Sequence, residues 1–152
     1  MTKPVLIAQI SDLHIKLPGA LAYNRVDTAA ALVACVVELN RLQPRPELVV
    51  ISGDLADTPS AEEYDHLRTL LAPLTLPFVI VPGNHDSRDL MRAAFPEQRY
   101  ASPTGPLNQV CSCGDLDLVL LDSSVPGRSH GELGDETLAF LEASLAASTT
   151  RP

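Results

Sequence analysis

The sequence predicts an α/β fold in which a largely parallel sheet is flanked by helices. Runs typical of buried strands alternate three times with helical segments before a hairpin, and this alternation is typical of β-α-β units. The 13 prolines lie at the ends of these segments, and no repeat or linker divides the chain. We therefore expect residues 1–152 to form a single domain that buries about two thirds of the surface of its unfolded chain.

The first strand and the first helix lead into a second strand. Val5–Ile10 is a continuous apolar-rich run, as expected for a strand that is covered on both faces. Asp27 can cap the next helix, which ends before Pro44. Its apolar positions recur at spacings of three and four and are Leu32, Val33, Val36 and Leu39. Leu48–Ile51 is the second apolar run and predicts the second strand.

The second helix and the third strand repeat this arrangement. Ser60 and Glu63 form the pattern of a capping box at the start of a helix that Pro73 ends. Phe78–Val81 is a third run of the buried-strand type, and Ser87 can cap a short helix after it.

The last part of the chain predicts a hairpin and a further helix. Leu107–Cys113 and Leu116–Leu121 flank Gly114 and Asp115, a pair that favours a tight turn. The final helix begins near Gly134, and its apolar face is formed by Leu138, Leu141 and Leu145. Because this face and one sheet edge would lack partners, we expect that the protein can form homo-oligomers.

Charge and apolar content argue against several functional classes. The 19 acidic residues outnumber the 11 basic ones, and the net charge of −8 argues against a nucleic-acid polymer as partner. The longest wholly apolar run, Ala29–Val37, is far shorter than the roughly 18 residues of a membrane span. The N-terminal run lacks the length and cleavage site of a secretory signal, and the odd count of three cysteines indicates reduced thiols. We therefore expect a cytoplasmic protein without a membrane partner.

Chemically active side chains follow each of the three predicted strands. The three segments are Asp12-Leu13-His14, Gly53-Asp54-Leu55-Ala56-Asp57 and Gly83-Asn84-His85-Asp86. Any one of them is equally typical of a simple turn. Together they would meet at one rim, because neighbouring strands lie about 5 Å apart and ligands of such sheets bind beyond the carboxyl ends of the strands. Carboxylates gathered there would repel one another unless a cation were present, and carboxylate oxygen with imidazole nitrogen suits Mn, Fe, Zn or Co.

The three segments resemble the motifs of the calcineurin-like metallophosphoesterases, which are Asp-x-His, Gly-Asp-x-x-Asp and Gly-Asn-His followed by Asp or Glu. The surrounding Gln9–His14 and Ser52–Asp57, with the later Leu121–Ser124 and Gly131–Leu133, are similar to the bacterial branch of class III cyclic-nucleotide phosphodiesterases and glycerophosphodiesterases. The likeness extends from about Val5 to Leu145. It implies a metallophosphoesterase-type β-α-β-α-β core, incomplete relative to the two-sheet αββα sandwich of the family.

The resemblance also implies a pair of adjacent divalent metal ions. Asp12 and His14 would hold the first ion, Asp54 would bridge both ions, and Asn84 would hold the second. Further histidine ligands of the family belong to later His-Pro-Pro and Gly-His-x-His segments, which do not occur up to Pro152. We therefore expect the second metal site to be incomplete in these residues.

The implied reaction is hydrolysis of a small phosphodiester, a cyclic nucleotide or a glycerophosphodiester, by a metal-bridged hydroxide. His85 would face the phosphate and protonate or stabilise the leaving oxygen, and a hydrogen bond through Asp57 would support it. Asp86 would lie behind the metal ligands. The alternative is a noncatalytic metal-binding or interaction fragment that lacks the later histidines.

The remaining titratable candidates favour structural roles. His66 lies on a helix rich in acidic residues, where a solvated or partly buried position is expected, and the segment around His130 predicts a surface loop. Cys111 and Cys113 share one face of a strand without the further ligands of a zinc site, and Cys35 belongs to an apolar helix face. We expect all three cysteines to be core or edge thiols.

Overall fold

Three parallel strands form the central sheet of the structure, a computed structural model that describes residues 4–148. The strands β1 (Ile7–Ile10), β2 (Leu48–Ser52) and β3 (Phe78–Val81) lie in chain order across the sheet. Helix α1 (Thr28–Arg41) connects the first two strands, and α2 (Ala61–Leu71) connects the second and third. The predicted β-α-β-α-β core with helices beside a parallel sheet is therefore confirmed.

The other elements follow the third strand. Helix α3 (Arg88–Ala94) precedes an antiparallel hairpin of β4 (Gln109–Cys113) and β5 (Leu116–Leu120), and α4 (Asp135–Ala147) follows the hairpin. The hairpin pairs Cys113 with Leu116 across the predicted two-residue turn. It forms a sheet of its own rather than extending the parallel one.

Alternating side chains of the central strands pack into two apolar layers, one on each face of the sheet. On one face Val49, Ile51 and Ile80 pack with the buried residues of α1 and α2. On the other face Leu48 and Val79 pack with Cys113 and Leu120 of the hairpin. The hairpin therefore closes the sheet face that the helices leave open. Burial of each such aliphatic side chain contributes about 1.5–3 kcal/mol to the free energy of folding.

The predicted helix starts are present. The side chains of Asp27, Ser60 and Ser87 accept hydrogen bonds from the main-chain N–H groups three residues later, as helix caps do. Glu63 departs from the capping box, because its carboxylate accepts from the N–H of Thr58 rather than from that of Ser60. Val33, predicted on the apolar face of α1, is instead exposed.

Side-chain amides cover the outer edge of β3. The side-chain amide of Gln98 bonds the N–H of Ile80 and the carbonyl of Phe78, and the amide of Gln109 donates to the carbonyl of Ile80. These two amides occupy main-chain groups on the outer edge of β3, which protects that edge from pairing with another strand.

The final helix packs loosely. Leu138 and Leu145 are exposed, and Thr137 is its one buried residue among those described. Self-association through this face stays a prediction, as does the division into a single domain. Within residues 4–148, no helix combines the length and the apolar character needed to cross a membrane.

Candidate active site

The segments that follow β1 and β2 stay paired beyond the strands. The N–H of His14 donates to the carbonyl of Asp54 at 2.9 Å, and the N–H of Ile15 donates to the carbonyl of Leu55 at 3.0 Å. The N–H of Asp57 in turn donates to the carbonyl of Ile15 at 3.1 Å. This pairing fixes the main chain of both segments, so their side chains are presented from a rigid base.

Three acidic or histidine residues in these segments adopt positive φ angles. The values are 56° for Asp12, 41° for His14 and 51° for Asp54. Such backbone conformations are uncommon for residues other than glycine and occur preferentially at functional sites. The main-chain pairing described above holds His14 and Asp54 in them.

Glycine is required where the turns after β2 and β3 meet. A Cβ atom on Gly83 would lie 2.2 Å from Oδ1 of Asp54 and 2.3 Å from its main-chain nitrogen. Gly53, with φ of 83°, would place a Cβ 3.2 Å from the Cα of Gly83. Any larger residue at position 83 would therefore displace Asp54.

His14, Asp54 and His85 form a cluster in which one possible ligand atom of each residue lies within 4.8 Å of the others. Nε2 of His14 is 3.7 Å from Oδ2 of Asp54, and the two imidazole rings meet edge to face with centroids 4.8 Å apart. The N–H of His85 donates to Oδ1 of Asp54 at 3.0 Å, which leaves Oδ2 facing His14. Two imidazoles and a carboxylate are suitable ligands for a divalent transition metal.

Asp57 supports both histidine rings. Its main-chain carbonyl lies 2.8 Å from Nδ1 of His85, and because a carbonyl oxygen can only accept, that nitrogen carries a proton. Its Oδ1 lies 3.3 Å from Nδ1 of His14, and its Oδ2 accepts a hydrogen bond from Lys16. The bond from Lys16 lowers the pKa of Asp57 below its usual value. The link predicted between Asp57 and His85 is thus made by the main chain and not by the carboxylate.

Asp86 holds the turns after β2 and β3 together. Its carboxylate accepts from the main-chain N–H groups of Gly83, Leu55 and Ala56 at 2.8–3.2 Å and from the hydroxyl of Tyr64 at 2.9 Å. Burial raises the pKa of Asp86, while these hydrogen bonds act in the opposite direction. Because this carboxylate is bonded to main-chain groups of both turns, Asp86 fixes the positions of the turns that carry the candidate ligands.

The two other predicted metal ligands, Asp12 and Asn84, have exposed positions. Asp12 is exposed and is not among the residues that the cluster brings together, although His85, predicted only as a catalytic residue, is among them. Asn84 is also exposed and lines a cavity of about 340 Å³ together with Ser87, Arg88 and Ser124.

Residues 5–142 match the sequence model of the family described as calcineurin-like phosphoesterase. The chain belongs to this family. The resemblance inferred from the three strand-end segments is therefore confirmed.

Curated relatives match nearly all of this phosphoesterase chain. The probable glycerophosphodiester phosphodiesterase GpdQ of Arcobacter nitrofigilis is 38% identical over 141 residues, which cover 93% of this chain and 52% of the relative. The 3′,5′-cyclic adenosine monophosphate phosphodiesterase CpdA of Pseudomonas aeruginosa is 35% identical over 147 residues, with coverage of 97% and 52%. The chain thus spans about half the length of these curated relatives.

A solved structure shares the fold. A purple acid phosphatase from yellow lupin seeds superposes with a TM-score of 0.62 over 97% of this chain and 28% of its own chain. The sequence identity is 14%, so the likeness concerns the arrangement of strands and helices and nothing further.

An ion pair that the sequence did not predict ties the segment after the hairpin of this phosphoesterase chain to the start of α3. Arg88 donates from Nε to Asp122 at 2.7 Å and from Nη2 to the carbonyl of Ser124 at 2.7 Å. Asp122 is 1% exposed and also accepts from the N–H of Leu107. Burial by itself would raise the pKa of Asp122, but the hydrogen bonds from Arg88 and Ser124 hold it below the usual value. Arg88 lies two residues after the Gly83–Asp86 segment, so the pair also anchors that turn.

The other titratable residues occupy structural positions, as predicted. His66 is half-buried, and its Nδ1 lies 2.6 Å from the carbonyl of Lys16. His130 is exposed. The three cysteines are free thiols: Cys113 is buried against the sheet, and Cys35 and Cys111 are half-buried.

The hydroxyl of Tyr64 should contribute measurably to stability. It donates to Asp86 and accepts from the N–H of Ser87 at 3.0 Å, and the residue is fully buried. We expect Tyr64→Phe to lower the free energy of unfolding by about 1–3 kcal/mol, because both partners lose a hydrogen bond away from water. Urea denaturation measures the loss, with Tyr23→Phe at a site 74% exposed as control. Equal stability of the two variants would contradict this role.

Proposed function

We propose that the protein provides the metal-carrying part of a metal-dependent phosphodiester hydrolase that acts on cyclic nucleotides or small glycerophosphodiesters. The observation that carries the proposal is the cluster of His14, Asp54 and His85, with ligand atoms within 4.8 Å of one another, at the strand ends of a calcineurin-like phosphoesterase chain. The names of the relatives GpdQ and CpdA support both substrate classes. A cytoplasmic location is part of the proposal.

The residues present fit divalent metal ions. Nδ1 of His14 is buried and makes no hydrogen bond to the described residues, and Nε2 of the same ring faces the free oxygen of Asp54. In the arrangement we propose, Asp12 and His14 would hold one of two ions, Asn84 would hold the second, and Asp54 would serve both, with Mn, Fe, Zn or Co as candidates. Ions bound there would act as Lewis acids that acidify a water molecule and neutralise charge on the phosphate.

His85 is the proposed proton donor. Its Nδ1 is fixed by the carbonyl of Asp57, so Nε2 is the nitrogen that can contact a substrate. In the doubly protonated ring, Nε2 can transfer its proton to the leaving oxygen as the bond between phosphorus and that oxygen breaks. The oxygen of a water molecule, which releases one proton to bulk solvent, bonds to phosphorus in its place. The carbonyl of Asp57 then keeps the neutral ring in the same orientation.

Turnover of bis(p-nitrophenyl) phosphate with added Mn tests the proposal directly. We expect metal-dependent release of nitrophenol that is abolished by a chelator and restored by Mn. Because the chain spans about half the length of its relatives, we expect the rate to rise further in a chimera that carries the C-terminal half of a relative. Metal binding without turnover in either protein would favour the alternative, a metal-binding fragment without catalysis.

Substitution of His85 separates a proton donor from a metal ligand. We expect His85→Ala to lower turnover by about 100-fold while retaining most of the bound metal, since general acids typically contribute about 10²–10⁴-fold. His130→Ala is the matched control, because that histidine is exposed on a loop. Loss of bound metal in His85→Ala, measured by elemental analysis after dialysis, would instead make His85 a ligand.

A further inference from the structure

Lys16 occupies a position that the motifs do not mark. It lies two residues after His14, and its main-chain carbonyl is 2.6 Å from Nδ1 of His66 on α2. The preceding residue, Ile15, is fully buried and pairs with the segment that follows β2. The main chain at Lys16 is therefore fixed both by the sheet extension and by a helix.

The side chain of Lys16 is directed to the carboxylate that supports the histidine cluster. Its Nζ donates to Oδ2 of Asp57, and the two side chains are 23% and 16% exposed. The other oxygen, Oδ1, is the one 3.3 Å from Nδ1 of His14. Lys16 thus occupies one side of a carboxylate whose other side faces a predicted metal ligand.

Asp57 has few ways to hold its orientation without Lys16. Its main-chain N–H and carbonyl are fixed by Ile15 and His85, but these bonds do not set the side-chain torsions. The hydrogen bonds described for the carboxylate come from Lys16 alone, while His14 approaches at 3.3 Å without forming one. The bond from Lys16 therefore helps to set where Oδ1 lies relative to the ring of His14.

We propose that Lys16 is a positioning residue that, through Asp57, orients His14 for metal binding. The inference rests on the proposed metal-dependent function. Outer partners of histidine ligands typically change metal affinity by about 10–100-fold when removed, and Lys16 acts one step further through a charge-assisted hydrogen bond. The effect is on the orientation of the ring, so it is present before any metal binds.

The first test measures the metal-free protein. In Lys16→Met, which keeps the length of the stem and removes the ammonium, we expect the side-chain ¹⁵N resonances of His14 to shift relative to the parent, while those of the exposed His130 stay unchanged. Lys16→Arg should bring the His14 resonances back towards those of the parent, because its guanidinium can donate a charge-assisted hydrogen bond to the same carboxylate. Arg25→Met removes an exposed cation and should leave all four histidines unchanged. Unchanged His14 resonances in Lys16→Met would overturn the proposal.

The second test titrates Co²⁺ alone and follows its visible absorption. We expect Lys16→Met to bind about tenfold more weakly than the parent, and Lys16→Arg and Arg25→Met to bind within about threefold of it. If Lys16→Met fails to fold, Lys16→Gln is used in both tests, with a smaller shift in the same direction expected. Equal Co²⁺ affinity in the parent and in the folded neutral variant would overturn the inference. Failure of the parent to bind Co²⁺ would refute the metal-dependent function, and the spectra of the metal-free protein would still decide whether Lys16 positions His14.

Discussion

Asp54→Asn is expected to weaken the binding of divalent metal by about 100-fold or more. Removal of the hydrogen-bond partner of a metal ligand typically lowers metal affinity by about 10–100-fold. Loss of a carboxylate that binds the metal directly should therefore lower the affinity by at least about 100-fold. Asn is a cleaner replacement than Ala, because it tolerates the φ of 51° at this position and keeps an oxygen that accepts from the N–H of His85. The measurement is metal content after dialysis, together with Co²⁺ titration.

Asp89→Asn provides the matched control for Asp54→Asn. Its side chain is fully exposed and lies at the start of α3, near the candidate site but outside the cluster. The two variants lose the same charge, so a metal loss confined to Asp54→Asn cannot be attributed to the change in net charge. Equal retention of metal by Asp54→Asn and the parent would contradict the placement of Asp54 at the metal site.

The elements of this fold could be predicted because their signals are local. The apolar run of β2 and the Ser60 cap of α2 are contained within a few residues, and both are present where expected. The meeting of the three strand-end segments follows from the parallel order of the strands, which short helical connections require.

The detailed geometry of the site could not be predicted in the same way. The positive φ angles of His14 and Asp54 depend on pairing between the segments that follow β1 and β2, about 40 residues apart in sequence. Spacing placed His14, Asp54 and His85 at one rim, but it did not indicate that Asp12 would lie outside their cluster.

Supporting residues were missed for the same reason. Lys16 bonds a partner 41 residues away, Tyr64 one that is 22 residues away and Arg88 one that is 34 residues away. None of these residues differs in its local sequence from an ordinary surface cation or core aromatic residue. Their roles appear only when the tertiary contacts are known.

Asp122→Ala is expected to lower the free energy of unfolding by about 3–5 kcal/mol. Removing one partner of a buried ion pair typically has this cost, because the remaining charge and hydrogen-bond donors lose their acceptor. Here the groups left without that acceptor are Arg88 and the N–H groups of Leu107 and Ser124. Urea denaturation gives the difference, and Asp65→Ala on the exposed face of α2 is the control. A loss below about 1 kcal/mol would show that the pair contributes little.

The same pair predicts how the difference between parent and Asp122→Ala depends on pH. The pKa of Asp122 in the folded protein lies below its ordinary value, which is about 3.9 in an unfolded chain. Its stabilising contribution is therefore complete at neutral pH, and it is lost as the pH falls from about 5 through the pKa of the folded state. We expect the stability difference to be largest at pH 7 and to shrink steadily towards pH 3, since the variant has no carboxylate to protonate at this position. If the stability difference instead grew on acidification, the effect of burial on the pKa of Asp122 would outweigh that of the hydrogen bonds from Arg88 and Ser124.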